Sequence, residues 1–156
     1  MKSIRLVIFD IDGVLTDGSV YVDETGKEIK RFRLTEIDAL NSICSLGIDV
    51  AAVTGEDTPI TDVFRKKAPW KEFITGCKDK LSEVKRLEKE FNLEQSEICY
   101  IGDGKYDIDA IRYAGLGACP RNSISEVKAS ADLVLEGGGG ESCVYELYLQ
   151  LKEGYQ

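Results

Sequence analysis

The sequence predicts a doubly wound α/β fold: a parallel sheet flanked by helices, with one projecting β-hairpin. Three observations predict it. Short apolar runs at Ile4–Phe9, Ile48–Val53 and Ile98–Ile101 alternate with segments of helical periodicity, as expected of parallel strands buried on both faces. The alternation continues along the chain with no linker, repeat or low-complexity tract beyond the four glycines at 137–140. Acidic residues follow the strands directly, at the sheet edge where such folds bind ligands.

The elements follow in order. Ile4–Phe9 is apolar apart from Arg5 and reads as the first strand. Ser19–Val22 and Glu28–Phe32 flank Asp23-Glu24-Thr25-Gly26, a hairpin with its turn. Thr35 is placed to N-cap a helix carrying Ile37, Leu40, Ile43 and Leu46, which Gly47 stops. Ile48–Val53 is the next core strand. Thr58 before Pro59 marks the start of a helix running to about Lys67. Phe73–Ile74 is a short strand. Asp79–Phe91 is helical, with Leu81, Val84 and Leu87 on one face. Ile98–Ile101 is a strand, Asp107–Ala114 a helix closed by Gly115, and Leu116–Cys119 a further strand. Ser123 and Glu126 predict a capping box opening a short helix. Leu133–Leu135 is the last strand. Gly137–Gly140 reads as a flexible or phosphate-approaching loop, and Ser142–Leu151 as the terminal helix. A single domain over 1–156 is expected, with the hairpin at about 18–33.

Composition narrows the chemistry. A net charge of −8 and the lack of a basic stripe argue against nucleic acid as a partner. No apolar run approaches a membrane span, and the segment MKSIRLVIFD lacks the small-residue cleavage site of a leader. The five cysteines are odd in number and show no C-x-x-C spacing, so reduced, mostly buried thiols in a cytoplasmic protein are expected. The chain has no histidine. That excludes a Ser-His-Asp triad, a phosphohistidine and an H-E-x-x-H zinc site, and leaves acid–base work to carboxylates, lysines or tyrosines.

The strand ends supply the candidates. Asp10-Ile11-Asp12-Gly13 follows the first strand, Thr54-Gly55-Glu56 the second, and Gly102-Asp103-Gly104 with Asp107 the strand at 98–101. Lys80 opens a helix between them. Carboxylates at i and i+2 face the same side of extended chain and, with Asp103, offer the hard oxygens that suit magnesium. Magnesium and Lys80 would neutralise a phosphoryl dianion, and Thr54 would donate a hydrogen bond to it. A carboxylate nucleophile would then split hydrolysis into two steps. Each residue also has a plainer reading. D-x-D is often a turn, Lys80 can be a solvated helix residue with Lys78 as its competitor, and Asp107 can be an N-cap. Glu56 and Lys67 can be surface charges, and Trp70 and Tyr106 read as packing residues.

The run Asp10-Ile11-Asp12-Gly13-Val14-Leu15-Thr16-Asp17-Gly18, with Thr54-Gly55, Lys80, and Gly102-Asp103 with Asp107, resembles the four motifs of the haloacid dehalogenase-like phosphatases. The resemblance implies a Rossmann-like fold and a magnesium-dependent phosphatase. In it, Asp10 is nucleophile and metal ligand, and Asp12 is general acid and base, binding the metal through its carbonyl. Thr54 and Lys80 hold the phosphoryl group, Asp103 binds magnesium, and Asp107 supports that site. The gaps between motifs are too short for the inserted cap of larger members. The chain therefore resembles the capless branch acting on 3-deoxy-ulosonic acid phosphates, which includes the KDO 8-phosphate and KDN 9-phosphate phosphatases; KDN is a relative of sialic acid. Gly18–Phe32 resembles the projecting hairpin of that branch, and the glycine stretch is similar too. The resemblance implies a homotetramer in which neighbouring subunits cover each site.

Several positions depart from the octulosonate pattern. Thr35-Glu36-Ile37 replaces Arg-Asp-Gly, Glu56 replaces an arginine, an arginine of the terminal helix is missing, and Gly104 replaces a common second aspartate. Glu56 and Lys67, with Gly55 beside them, resemble a substrate-binding set for nine-carbon nonulosonates. Two other readings stand beside the enzyme: a receiver-like phosphoacceptor signalling domain, and a weakly active relative bound or fused to a pathway enzyme.

Overall fold

The computed structural model describes residues 3–154; residues 1, 2, 155 and 156, the ends of the predicted domain, lie outside it. Six parallel strands form the main sheet: β1 (Leu6–Phe9), β4 (Asp49–Val53), β5 (Glu72–Ile74), β6 (Ile98–Ile101), β7 (Leu116–Cys119) and β8 (Leu133–Val134). Their order is β5-β4-β1-β6-β7-β8, with every adjacent pair parallel. The chain winds outward from β1 to β5 on one side, then crosses back and winds outward from β6 to β8 on the other. The β1/β6 boundary is thus the switch point, where a crevice opens at the carboxyl ends of the strands. Phe9 is level with Ala52 on one neighbour and Ile101 on the other, so Asp10, Val53 and Gly102 lie level at the carboxyl edge of the sheet.

Side chains alternate across the sheet as the pleat requires. Val7, Phe9, Val50, Ala52, Cys99 and Ile101 face one layer, formed by α1 (Leu34–Ser45) and α6 (Cys143–Lys152). Leu6, Ile8, Ala51, Val53, Ile98 and Tyr100 face the other, with α3 (Lys80–Glu90) and α4 (Ile108–Tyr113). The strands β1 and β6 are buried at every position, which is why their sequences read as unbroken apolar runs. Trp70 is half-buried and packs edge-on against Phe9 and Phe73, as a packing residue at the margin of the core.

The hairpin is β2 (Tyr21–Val22) with β3 (Glu28–Ile29), shorter than the sequence suggests and antiparallel. A bridge between Thr16 and Phe32 closes its base. Between β1 and β4 the described residues hold only this hairpin and α1, and between β4 and β6 only α2 (Pro59–Arg65), β5, α3 and a single 3₁₀ turn. No cap domain is present there.

Several local expectations are corrected. Thr35 is not an N-cap: α1 begins at Leu34, with Arg33 as N-cap, because the chain turns as soon as it leaves the Thr16–Phe32 bridge. Ser123 and Glu126 do not form a capping box. The Ser123 hydroxyl turns back to donate to the Pro120 carbonyl at 2.7 Å, and α5 (Ser125–Lys128) starts after Ile124. Pro59 does open α2, and there the Thr61 hydroxyl accepts from the Thr58 N–H. The glycines at 137–140 are buried rather than free.

Candidate active site

Asp10 leaves β1 with its N–H still held by the Ile101 carbonyl at 2.9 Å. Its Oδ1 accepts from the Ile11 N–H at 2.8 Å and lies 3.0 Å from Lys80 Nζ. Lys80 stands at the first position of α3, which Asp79 caps by accepting from the Ser82 N–H. From there the lysine reaches inward and also donates to Asp107 Oδ1 at 2.7 Å. Lys80, not Lys78, is therefore the buried cation of the site.

Asp107 stands at the N-cap position of α4, but its side chain makes no capping bond to that helix and serves the site instead. Besides Lys80, its Oδ1 accepts from the Tyr100 hydroxyl at 2.6 Å. Its Oδ2 accepts from the N–H groups of Asp103 and Gly104. That grip forces the chain at Gly102 against the Asp107 side chain: a Cβ there would lie 2.3 Å from Cγ.

Asp103 faces Asp10 across the crevice. One carboxylate oxygen from each of Asp10, Asp103 and Asp107 lies within 4.8 Å of the other two. Burial and the neighbouring Asp107 charge push the Asp10 carboxyl well above the usual range, although Lys80 opposes the shift. Burial, with Asp107, raises Asp103 to about 6. Burial works against the Lys80 charge, but Asp10 and Asp107 outweigh it and the ammonium is held more tightly than usual. Acids so placed are short of positive charge, and a cation supplies it. Two hard oxygens from Asp10 and Asp103, with room beside them, fit magnesium. Gly13 makes the room: its φ is +85°, and a Cβ there would sit 1.9 Å from Asp103 Oδ2.

Asp12 lies outside that carboxylate cluster. Its Oδ1 accepts a hydrogen bond from Lys30 Nζ at 2.8 Å. Thr54 is buried at the end of β4, and its hydroxyl oxygen accepts from the Glu56 N–H at 3.2 Å, which leaves the hydroxyl hydrogen for a ligand. A cleft of about 510 Å³ opens over these groups, and Asp10, Asp12, Thr54, Gly55, Glu56 and Lys80 all line it, with Cys77, Lys78 and Tyr106. Tyr106 is 73% exposed, so the expectation of a packing residue is corrected: it stands at the cleft mouth.

Lys67 is not among the lining residues. It lies past the end of α2, over the Phe32 ring, in a separate groove with Pro59, Asp62, Val63 and Lys66. One chain alone does not bring Glu56 and Lys67 into the same cleft.

Sequence reasoning passed over two contributors and placed a third only loosely. Tyr100 had a signal: a tyrosine in a buried strand needs a partner for its hydroxyl. Lys30 had none, because lysines are common in exposed hairpins. The glycines at 137–140 gave only a general cue. In the structure they brace the Asp10 loop: the Gly140 N–H donates to the Val14 carbonyl at 2.8 Å, and a Cβ on Gly139 would lie 1.8 Å from the Gly13 carbonyl oxygen.

Known proteins resemble this chain in sequence and in fold. Residues 52–138 match the haloacid dehalogenase-like hydrolase family. The 3-deoxy-D-manno-octulosonate 8-phosphate phosphatase KdsC of Haemophilus influenzae is 30% identical over 147 residues, covering 94% of this chain and 82% of that protein. A crystal structure of the Moraxella catarrhalis 3-deoxy-D-manno-octulosonate 8-phosphate phosphatase, in complex with magnesium ion, phosphate ion and KDO, superposes with a TM-score of 0.91 at 31% identity, covering 96% of this chain and 86% of that one. The cobalt-bound Haemophilus influenzae enzyme gives a TM-score of 0.91 at 29% identity, covering 97% and 88%. A receiver domain would carry its acceptor aspartate after the third strand; here the acid at the sheet's centre follows the first. By its matched residues, its uncapped sheet and the placing of its acids, this chain belongs to the haloacid dehalogenase-like hydrolases.

Proposed function

We propose that this chain is a magnesium-dependent phosphohydrolase that removes the terminal phosphate of a 3-deoxy-2-ulosonic acid phosphate through an aspartyl-phosphate intermediate. The observation that carries the reading is the meeting of Asp10 and Asp103 oxygens within 4.8 Å beside the buried ammonium of Lys80. The relatives that act on KDO 8-phosphate support the substrate class.

Asp10 and Asp103 would hold the ion, joined by the Asp12 carbonyl. When bound, magnesium supplies positive charge to a phosphoryl oxygen and to the nucleophile, which lowers the repulsion between two anions. Lys80 and the Thr54 hydroxyl bind the remaining phosphoryl oxygens. An Asp10 oxygen attacks phosphorus as the ester P–O bond breaks, and Asp12 gives its proton to the leaving oxygen. Water then attacks the same phosphorus, the bond to Asp10 breaks, and the water's proton passes to Asp12. Inorganic phosphate leaves and Asp10 is restored. Asp107 keeps Lys80 in place.

Gly55 and Glu56 at the cleft are the substrate-binding candidates of this chain. Glu56, where octulosonate enzymes carry arginine, favours a nine-carbon acid such as KDN 9-phosphate or an N-acylneuraminate 9-phosphate over KDO 8-phosphate. Lys67 would contribute from a neighbouring subunit of a homotetramer. Self-assembly is supported by the hairpin, where Tyr21, Val22 and Ile29 are exposed apolar residues that a second copy can cover. A cytoplasmic setting agrees with five free thiols. Among the described residues no helix is long and apolar enough to cross a membrane.

The test is a steady-state panel of KDO 8-phosphate, KDN 9-phosphate and N-acetylneuraminate 9-phosphate with magnesium. Hydrolysis of one of them, at least tenfold preferred over a hexose 6-phosphate in kcat/KM and lost in Asp10→Asn, supports the reading. No turnover of any ulosonate phosphate would overturn it.

A further inference from the structure

The strands of the hairpin are exposed, but Lys30 beyond them turns inward. Tyr21, Val22, Glu28 and Ile29 all face solvent. The Lys30 side chain, next in sequence, is only 4% exposed, while its partner Asp12 retains 28%. Nζ reaches Asp12 Oδ1 at 2.8 Å. Burying an ammonium is unfavourable unless its partner is well placed, and a lysine at this surface position could have turned outward. Its base is also fixed: Phe32 bridges Thr16, and Arg31 lies 3.6 Å from Asp17.

We propose that Lys30 is a positioning residue for the proton relay, holding Asp12 by Oδ1 so that Oδ2 alone carries the proton to the leaving oxygen and back from water. The assignment rests on the phosphatase reading above. An ammonium has three donors and no acceptor, so an oxygen that accepts from it is a poor place for a carboxyl hydrogen. The contact therefore selects the working oxygen and fixes a torsion that is otherwise broad. Without it the carboxyl turns freely, and the fraction aimed at the reacting oxygen falls. Misplacement by about 1 Å can cost 100-fold. On this view the hairpin is part of the catalytic apparatus of its own subunit, besides any role in assembly.

The experiment measures kcat/KM with magnesium for 4-nitrophenyl phosphate, phenyl phosphate and an alkyl phosphate. Leaving oxygens along that series depend increasingly on protonation. The expected result for Lys30→Met is a loss that grows along the series, from about threefold to about 100-fold, the range of general acid catalysis. Asp12→Asn should show the same ordering, and adding Lys30→Met to it should cost nothing further, because the two residues act as a unit. Lys30→Gln, which keeps a neutral donor, gives the same ordering with smaller losses and serves if the methionine variant does not fold. An equal loss across the series, no loss, or full additivity with Asp12→Asn would overturn the assignment of Lys30 and leave the phosphatase reading standing. A wild-type protein inert toward every ester would bring down both.

Discussion

The Tyr100 hydroxyl donates to Asp107 Oδ1 at 2.6 Å, from the middle of a strand buried on both faces. The same oxygen accepts from Lys80 Nζ. One carboxylate oxygen thus joins the core of the sheet to the cation that neutralises Asp10. Burial and the Asp107 charge both hold the phenol protonated far beyond its ordinary range, so it acts only as a donor here.

Tyr100→Phe should therefore lower stability by about 1.5–3 kcal/mol, the worth of a hydrogen bond to a charged group. In thermal melts this is a fall in Tm of roughly 5 °C. Turnover should fall less than tenfold, since Lys80 keeps both carboxylate partners. An unchanged Tm would show that the phenol contributes nothing to the site.

The metal-free protein should become more stable on acidification. Asp103 has an ordinary value of 3.8 raised to about 6, and Asp10 is raised as well. Between those values the folded chain holds protons that the unfolded chain has released. Stability then falls as pH rises from about 4 to 6, by on the order of 2–3 kcal/mol for Asp103. Denaturant melts at pH 5 and 7.5 in chelator test the sign. Added magnesium should raise stability at pH 7.5 and do so far less at pH 5, where protons occupy its ligands. Melts that show greater stability at pH 7.5 would contradict the electrostatic account.

Gly13→Ala should cost at least tenfold in magnesium affinity. The added methyl meets Asp103 Oδ2 at 1.9 Å, and the positive φ disfavours any side chain. The carboxylate must move out of the cluster to admit it. Magnesium titration followed by thermal shift reads the loss directly; wild-type affinity in this variant would mean that Asp103 is not held where the structure puts it.

Charging the hairpin should break the proposed homotetramer. Tyr21 is 63% exposed and Val22 62%. The double substitution Tyr21→Lys with Val22→Asp replaces that apolar surface with opposite charges on one strand. Light scattering after gel filtration should show a tetramer reduced to a monomer. A monomeric wild type would remove the case for shared sites.

The sheet was legible in the sequence because strands buried on both faces leave unbroken apolar runs: Ile98–Ile101 and Leu116–Cys119 are reproduced residue for residue. The acids were legible because they abut those runs. Helix starts were harder. Ser123 and Glu126 have the spacing of a capping box, yet the Ser123 hydroxyl turns back to the Pro120 carbonyl, a local turn contact that competes with the cap. Glu36 is the clearest case. Its sequence position draws attention as a departure from the octulosonate pattern. In the fold it is buried and accepts from the Val144 N–H at 2.7 Å and from the Tyr145 N–H, so it caps α6 from a distance of 108 residues. Lys30 and Asp12 are likewise 18 residues apart and meet only because the hairpin folds back. Pairings of that kind are set by the packing of whole elements.

The brace that Gly139 and Gly140 set against Gly13 and Val14 has a consequence for how the protein matures on the ribosome. The nucleophile loop leaves the ribosome about 125 residues before the segment that shapes it. A nascent chain can pair β1 with β4 and then with β6, yet its magnesium pocket stays unshaped until the glycines arrive. Hydrolytic competence therefore waits for the synthesis of residues 139 and 140.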